Sequence, residues 1–331
     1  MNARTRILVV IGVAAVAAIA AVAFISGRGS NGPSANQSAA RKGAPPLALD
    51  LGLRDDAQAR QLRRALTLYS QKKRAQAGKI FDRYSSLPAQ IGSAFAGWPN
   101  GTVSQLEGMA NRYPDNSLVL LNLGLARYWS GDNSGAVQAW TDAYEAQPDT
   151  QSSLTADRLL HPNTPQGIPV FVPSFTPPVL HGRTPAAQLA ELAAAARKRD
   201  LHARLAYGIA LQRIGREVSA QRAYASAARL APDDPEPLVA EAVARFSRSQ
   251  PARAFSRLGP LAKRYPRAPT VRFHLGLLLA YAGDIADARK QFQKAVAIDP
   301  SDPLAREAAR FLAEMNAAGR SAPGRTQAPT R

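Results

Sequence analysis

The chain has 331 residues, no cysteine and a formal charge of +18. Without cysteine, disulfide frameworks, thiolate catalysis and cysteine metal sites are all excluded. The positive excess favours anionic partners: lipid head groups, cell-wall polymers, acidic peptides or nucleic acid. A diffuse excess is ordinarily only a solvated face. Five cations without an acid in residues 1–49, and three more in the last stretch from Ala318, leave +10 on the rest.

Ile7 to Ile25 holds no charged or strongly polar side chain. As a helix, its 19 residues rise about 28 Å, close to the ~30 Å hydrocarbon core. The reading is a transmembrane helix at 7–26, retained as a signal anchor. Ala21-Val22-Ala23 also resembles a small-x-small cleavage site, so removal as a signal peptide stays open. Arg4 and Arg6 flank the start of the helix. The positive-inside rule then keeps residues 1–6 cytoplasmic and places the bulk of the chain outside, in a type II orientation.

Residues 27–49 read as a flexible linker from their Gly, Ser, Pro and Asn content. Gly27-Arg28-Gly29-Ser30-Asn31-Gly32 matches a dinucleotide-binding glycine pattern, but no strand precedes it and no helix follows, so no cofactor is expected. Residues 50–116 read as degenerate helical repeats. Asp55 to Gln71 pairs with Arg74 to Tyr84, and a short helix around Ala89 to Phe95 precedes Thr102 to Arg112. A run of cations here, including Lys72, Lys73 and Arg74, suits either an anionic leaflet or a solvated helix face.

From residue 117 the chain becomes periodic. Ser117 to Thr150 carries Leu123-Gly124, Ala136, Trp140 and Pro148. The same slots recur three times between Leu201 and Asp302, always 34 residues apart: Tyr207-Gly208, Glu241-Ala242 and Leu275-Gly276, then Ala220, Ala254 and Ala288. Tyr224, Leu258 and Phe292 share a third slot, and Pro232, Pro266 and Pro300 a fourth. A fixed period of this length marks stacked supersecondary units. Gly124 and Ala136 are expected to face each other where two helices approach closely, with Trp140 filling space towards the next hairpin. Pro148 stops the second helix.

Between these blocks, 151–200 is an imperfect repeat with a proline-rich insertion at 162–183. Ser152 to Leu160 and Pro185 to Arg199 are its expected helices, with Thr184 as N-cap. The insertion carries Phe171 and Phe175. It either packs on its own solenoid or presents those rings to a partner. Repeats at 201–234, 235–268 and 269–302 follow. A capping helix at 303–317 and a disordered basic tail at 318–331 close the chain.

The quoted slots resemble the tetratricopeptide repeat family. That resemblance implies an all-α fold, a tetratricopeptide-type α-solenoid of antiparallel helix pairs preceded by one transmembrane helix. It also implies a concave groove, lined by the first helix of each pair, that holds a protein or peptide. Carried over, the candidate groove residues are Leu118, Leu121, Tyr128, Trp129, His202, Arg213, Phe246, Phe273 and Tyr281. Phe171 and Phe175 are candidate partner contacts. The Lys, Asn and Arg positions of members that grip acidic chaperone tails are here Leu, Val and Phe, so an amphipathic or proline-containing peptide fits better.

No metal spacing joins His161, His181, His202 and His274. Gly131-Asp132-Asn133-Ser134-Gly135 has the look of a hydrolase nucleophile motif but occupies a turn. No catalytic constellation, cofactor or nucleic-acid role is expected. The function expected is a membrane-anchored scaffold in envelope or cytochrome complex assembly. The rival is an electrostatic binder of anionic polymer or lipid.

Overall fold

A computed structural model describes residues 38–321 apart from 179, 181 and 182. The predicted membrane span, the residues before it, 27–37 and the tail beyond Ser321 lie outside the described residues. Among the described residues no helix is long and apolar enough to cross a membrane.

Secondary structure among these residues is helical, with no strand. Seven helices come first: α1 (Ala57–Ser70), α2 (Arg74–Phe81), α3 (Leu87–Ala96), α4 (Thr102–Arg112), α5 (Ser117–Ser130), α6 (Asn133–Ala146) and α7 (Gln151–Leu160). After the insertion come α8 (Pro185–Ala196), α9 (Leu201–Arg213), α10 (Glu217–Leu230), α11 (Pro235–Val243), α12 (Ala252–Arg264), α13 (Pro269–Tyr281), α14 (Ile285–Ile298) and α15 (Pro303–Ser321). The last helix runs to Ser321, four residues past the expected end of the cap at 317.

Local chemistry explains the punctuation. Each repeat-end proline stops one helix, and the next N-cap follows two residues later. Asn116, Thr150 and Asp234 accept hydrogen bonds from first-turn amides of α5, α7 and α11, satisfying donors that a helix start leaves open. Asp132 and Asp284 do the same inside hairpins, for α6 and α14. Ala268 has no side chain to cap with, and Pro269 starts α13 with its fixed φ instead.

The chain divides into two compact units. The first holds the described chain up to Thr164, with 183–189 and Leu211–Val218. The second holds 165–180, Ala190–Ala210 and the chain from Ser219 on. Three helix pairs occupy the start of the first unit, and their core runs from Leu62 and Phe81 through Ile91 and Leu106 to Leu121 and Trp140. Near the end of the second, Phe273, Phe292 and Leu304 anchor a core that takes in Phe311 of the cap.

The close approach at Gly124 is filled by Trp140, whose ring lies across it, so that a Cβ there would stand 2.3 Å from Trp140 Nε1. Tyr224 covers Gly208 and Phe292 covers Gly276 in the same way. Where the large residue is Leu258, the small one is Ala242 rather than glycine. The small residue is therefore sized to the side chain that covers it, which close packing demands. Helix α8, expected as an ordinary second helix, buries no residue.

Candidate functional site

Residues 38–52, expected within or beside a free linker, are packed against the first unit. Ser38 N donates to Gly131 O and Arg41 N to Trp129 O, both at 2.8 Å. Trp98 Nε1 donates to Gly43 O at 3.1 Å, and Tyr69 Oη to Pro45 O at 2.7 Å. Leu47 and Leu51 enter the core. Burying each such side chain is worth about 1.5–3 kcal/mol, which opposes the entropy of ordering a composition that reads as linker. The strap thus lies across α1 and α5, the first helices of two hairpins, and the loop that follows α3.

Asn122 is the residue that sequence reasoning missed. It is fully buried on α5, accepts from Ala48 N at 3.1 Å and donates to Ala48 O at 3.0 Å. One side-chain amide thus pairs with both backbone polar groups of one residue, as a neighbouring strand would. A lone Asn inside Leu118–Ala126 was the available signal, because buried polar groups need partners. Gly131 closes the strap's path. Its φ is +94°, and a Cβ there would meet Ser38 O at 2.0 Å. This accounts for the nucleophile-like motif as a turn, with Asp132 capping α6.

The predicted groove residues divide sharply. Leu118 and Leu121 are core rather than groove lining. Tyr128 lies under the guanidinium of Arg41, 3.4 Å from its ring centroid, and also accepts Arg41 Nη1 at its carbonyl. Trp129 is buried, its carbonyl bonded to the strap.

In the second unit the insertion plays the strap's part. Gln166 O accepts from Tyr281 Oη and Gly167 O from Arg248 Nη2, near the C-terminal ends of α13 and α11. Phe171 is buried, stacked on His274 with centroids 5.3 Å apart and edge-on to Tyr224 at 5.5 Å. Ser174 N and Oγ both donate to Glu236 Oε1, at 2.6 and 2.8 Å. Phe175 meets His202, the centroids 4.5 Å apart. Phe171 and Phe175, candidates for partner contact, therefore face their own chain. Phe246 packs edge-on against Tyr281, Phe273 is fully buried in the core, and Arg213 is exposed at the end of α9.

His274 is the centre of this arrangement. Its Nδ1 donates to Thr270 O at 2.7 Å, which leaves Nε2 to accept from Val172 N at 3.0 Å. Burial lowers its pKa to about 4, against the opposing pull of the Thr270 bond. The ring is therefore neutral and fixed in one tautomer. Among the described residues no three metal-ligating side chains come together.

Residues 269–302 match the family model described as tetratricopeptide repeat. The hairpin α13–α14 is thus similar to a tetratricopeptide repeat. The other hairpins with the same slots share its period and its small-to-large pairing. No curated protein matches the chain. Among solved structures, yeast Tom70 aligns at 14% identity over 77% of this chain and 47% of its own, with a TM-score of 0.33. The chain thus spans about half of that protein's length. A tetratricopeptide repeat protein from Parabacteroides merdae aligns at 11% over 77% of this chain and 98% of its own, with a TM-score of 0.32. The yeast Sti1 TPR2AB domain in complex with pHSP90 aligns at 12% over 78% and 98%, with a TM-score of 0.30. Likenesses this loose say nothing about what the chain binds.

Proposed function

We propose that the chain is a non-catalytic, membrane-anchored repeat scaffold that holds an extended polypeptide. One observation carries this reading. In both units an extended segment lies against first helices of the hairpins, held by side chains bonded to its backbone: Asn122 on Ala48, His274 on Val172, Glu236 on Ser174. Backbone groups are common to every sequence, so such contacts accept a foreign extended chain as well as a native one. The partner exchanges with the insertion, which is a surface loop, and its contacts are apolar and proline-compatible.

The 7–26 segment supplies the anchor in this reading, with the repeats on the extracytoplasmic side. Assembly of envelope or cytochrome complexes is the role that the family resemblance suggests. A second reading has its own support. Helices α10, α12 and α14 carry nine cations against two acids, which suits an anionic polymer or lipid. Salt separates the two, because electrostatic binding falls steeply as ionic strength rises.

The test of the scaffold replaces 165–176 in the full chain with a Gly-Ser linker of equal length. A synthetic peptide of residues 165–177 should then bind saturably, and lose binding when His274→Leu is added. No binding in the linker variant contradicts the proposal. Placing the chain's sole cysteine at Ser34 and labelling intact cells with an impermeant reagent tests the topology; labelling only after lysis excludes an extracytoplasmic array.

A further inference from the structure

The first unit holds a cleft of about 450 Å³ lined by Arg41, Arg74, Trp98, Pro99 and Trp129. Its chemistry is unusual for a structural gap. Arg74 Nη1 donates to Trp98 O at 2.6 Å, and Arg41 bonds to Tyr128 O and, at 3.2 Å, to Asn133 Oδ1. All these acceptors are neutral, and among the described residues no carboxylate lies within ion-pair range of Arg41 or Arg74, both of which line the cleft. A guanidinium carries five N–H donors in a planar fork, and among the described residues only Nη1 of Arg74 is used, on Trp98 O. Exposed Lys42, Lys72 and Lys73 adjoin the two arginines in sequence.

We infer that this cleft binds the phosphate-bearing head group of an anionic phospholipid. The Arg74 guanidinium matches a phosphodiester in charge and fork geometry, and the charge of Arg41 stands beside it on the cleft wall. The two indoles supply amphipathic walls of the kind that sit at head-group depth. A small free anion would leave those walls without a use. Chain length agrees. Arg41 lies 16 residues beyond Ile25, a reach of at most about 55 Å at ~3.4 Å per residue. This placement beside a bilayer rests on the anchor proposed above; the chemistry of the cleft does not.

The test uses the full chain with vesicles of phosphatidylcholine alone or with added phosphatidylglycerol. Half-buried Trp98 on the cleft wall is the reporter, and buried Trp129 and Trp140 give a constant background. Phosphatidylglycerol should shield tryptophan fluorescence from acrylamide, while inorganic phosphate added to phosphatidylcholine vesicles should not. Arg74→Gln should abolish the shielding with melting temperature unchanged, and Arg74→Lys should restore part of it. Loss of Lys72 or Lys73 should lower the apparent affinity roughly fivefold each.

Shielding that is absent, that phosphate or a nucleotide reproduces, or that survives Arg74→Gln overturns the assignment. Failure of the anchor would show separately, as a chain that does not float with phosphatidylcholine vesicles. The phosphatidylglycerol arm would still report on the cleft.

Discussion

The two units solve one problem with different parts. Each lays an extended segment against the first helices of its hairpins, and each segment buries a proline and then an apolar residue two positions on: Pro45 and Leu47, Pro169 and Phe171. That spacing puts both side chains on one side of an extended chain. The first unit reads the backbone with an uncharged amide that bonds to both backbone groups of one residue. The second uses the carboxylate of Glu236 and the imidazole of His274, whose bonding nitrogen can gain a proton. A face read by Asn122 is indifferent to pH, whereas one read by an imidazole lone pair is lost when that nitrogen gains a proton. The strap therefore behaves as fixed structure and the insertion as the adjustable half.

Removing the amide should break the comparison most severely. Asn122→Ala strips both polar groups of Ala48 of their partner, a cost of about 2–4 kcal/mol given the penalty for buried unpaired groups. Urea unfolding should show that loss. Limited proteolysis should then cut within 38–52 while sparing 165–176. Cleavage in both segments would mean that the two faces are not independent.

The glycine pairing comes next. Gly276→Ala should cost roughly 1–2 kcal/mol, because overpacking against Phe292 outweighs the better helix propensity of alanine. Adding Phe292→Leu should recover part of that stability, since it recreates the Ala242–Leu258 pair already present in the chain. Thermal melts of the single and double variants decide this. A double variant worse than the sum of its singles would contradict the size-matching account.

Buried His274 and half-buried Glu217 give pH effects of opposite sign. The unfolded chain takes up a proton at His274 below about 6.5, whereas the folded chain waits until about 4. Stability from this group is therefore lost as pH falls through that window, by at most about 1.4 kcal/mol per pH unit. Burial raises the Glu217 carboxyl from 4.5 to about 7, with the Gln212 hydrogen bond opposing and Asp149 adding to the rise. Its stability is present below 4.5 and lost as pH climbs to 7. His274→Gln should flatten the acid loss and Glu217→Gln the opposing slope, both read from urea midpoints across pH 4.5 to 7.

The repeats were legible because their rules are local. A proline stop, a cap two residues later and a small residue under a large one all fall at fixed spacing. The strap was not, because extended chain has no helical period, and Gly, Ser and Pro read as linker whether or not a surface receives them. Its traces were Asn122 among leucines and the Leu47, Leu49, Leu51 alternation. The insertion stayed ambiguous because the rings that fill a groove are the same ones that would greet a partner. Arg41, Arg74, Trp98 and Trp129 stand too far apart in sequence for any pattern to join them. The position rules carried over from the family led to His202 and Tyr281, which meet the insertion, and to Leu121 and Phe273, which lie in the core.

Native-state hydrogen exchange on the full chain tests the central claim most directly, at the amides of Ala48, Val172 and Ser174. Protection far above that of an unstructured peptide at all three, with Val172 and Ser174 opening before Ala48 as pH drops, is the predicted result. Exchange at free-peptide rates would contradict the claim that each unit holds an extended segment of its own chain.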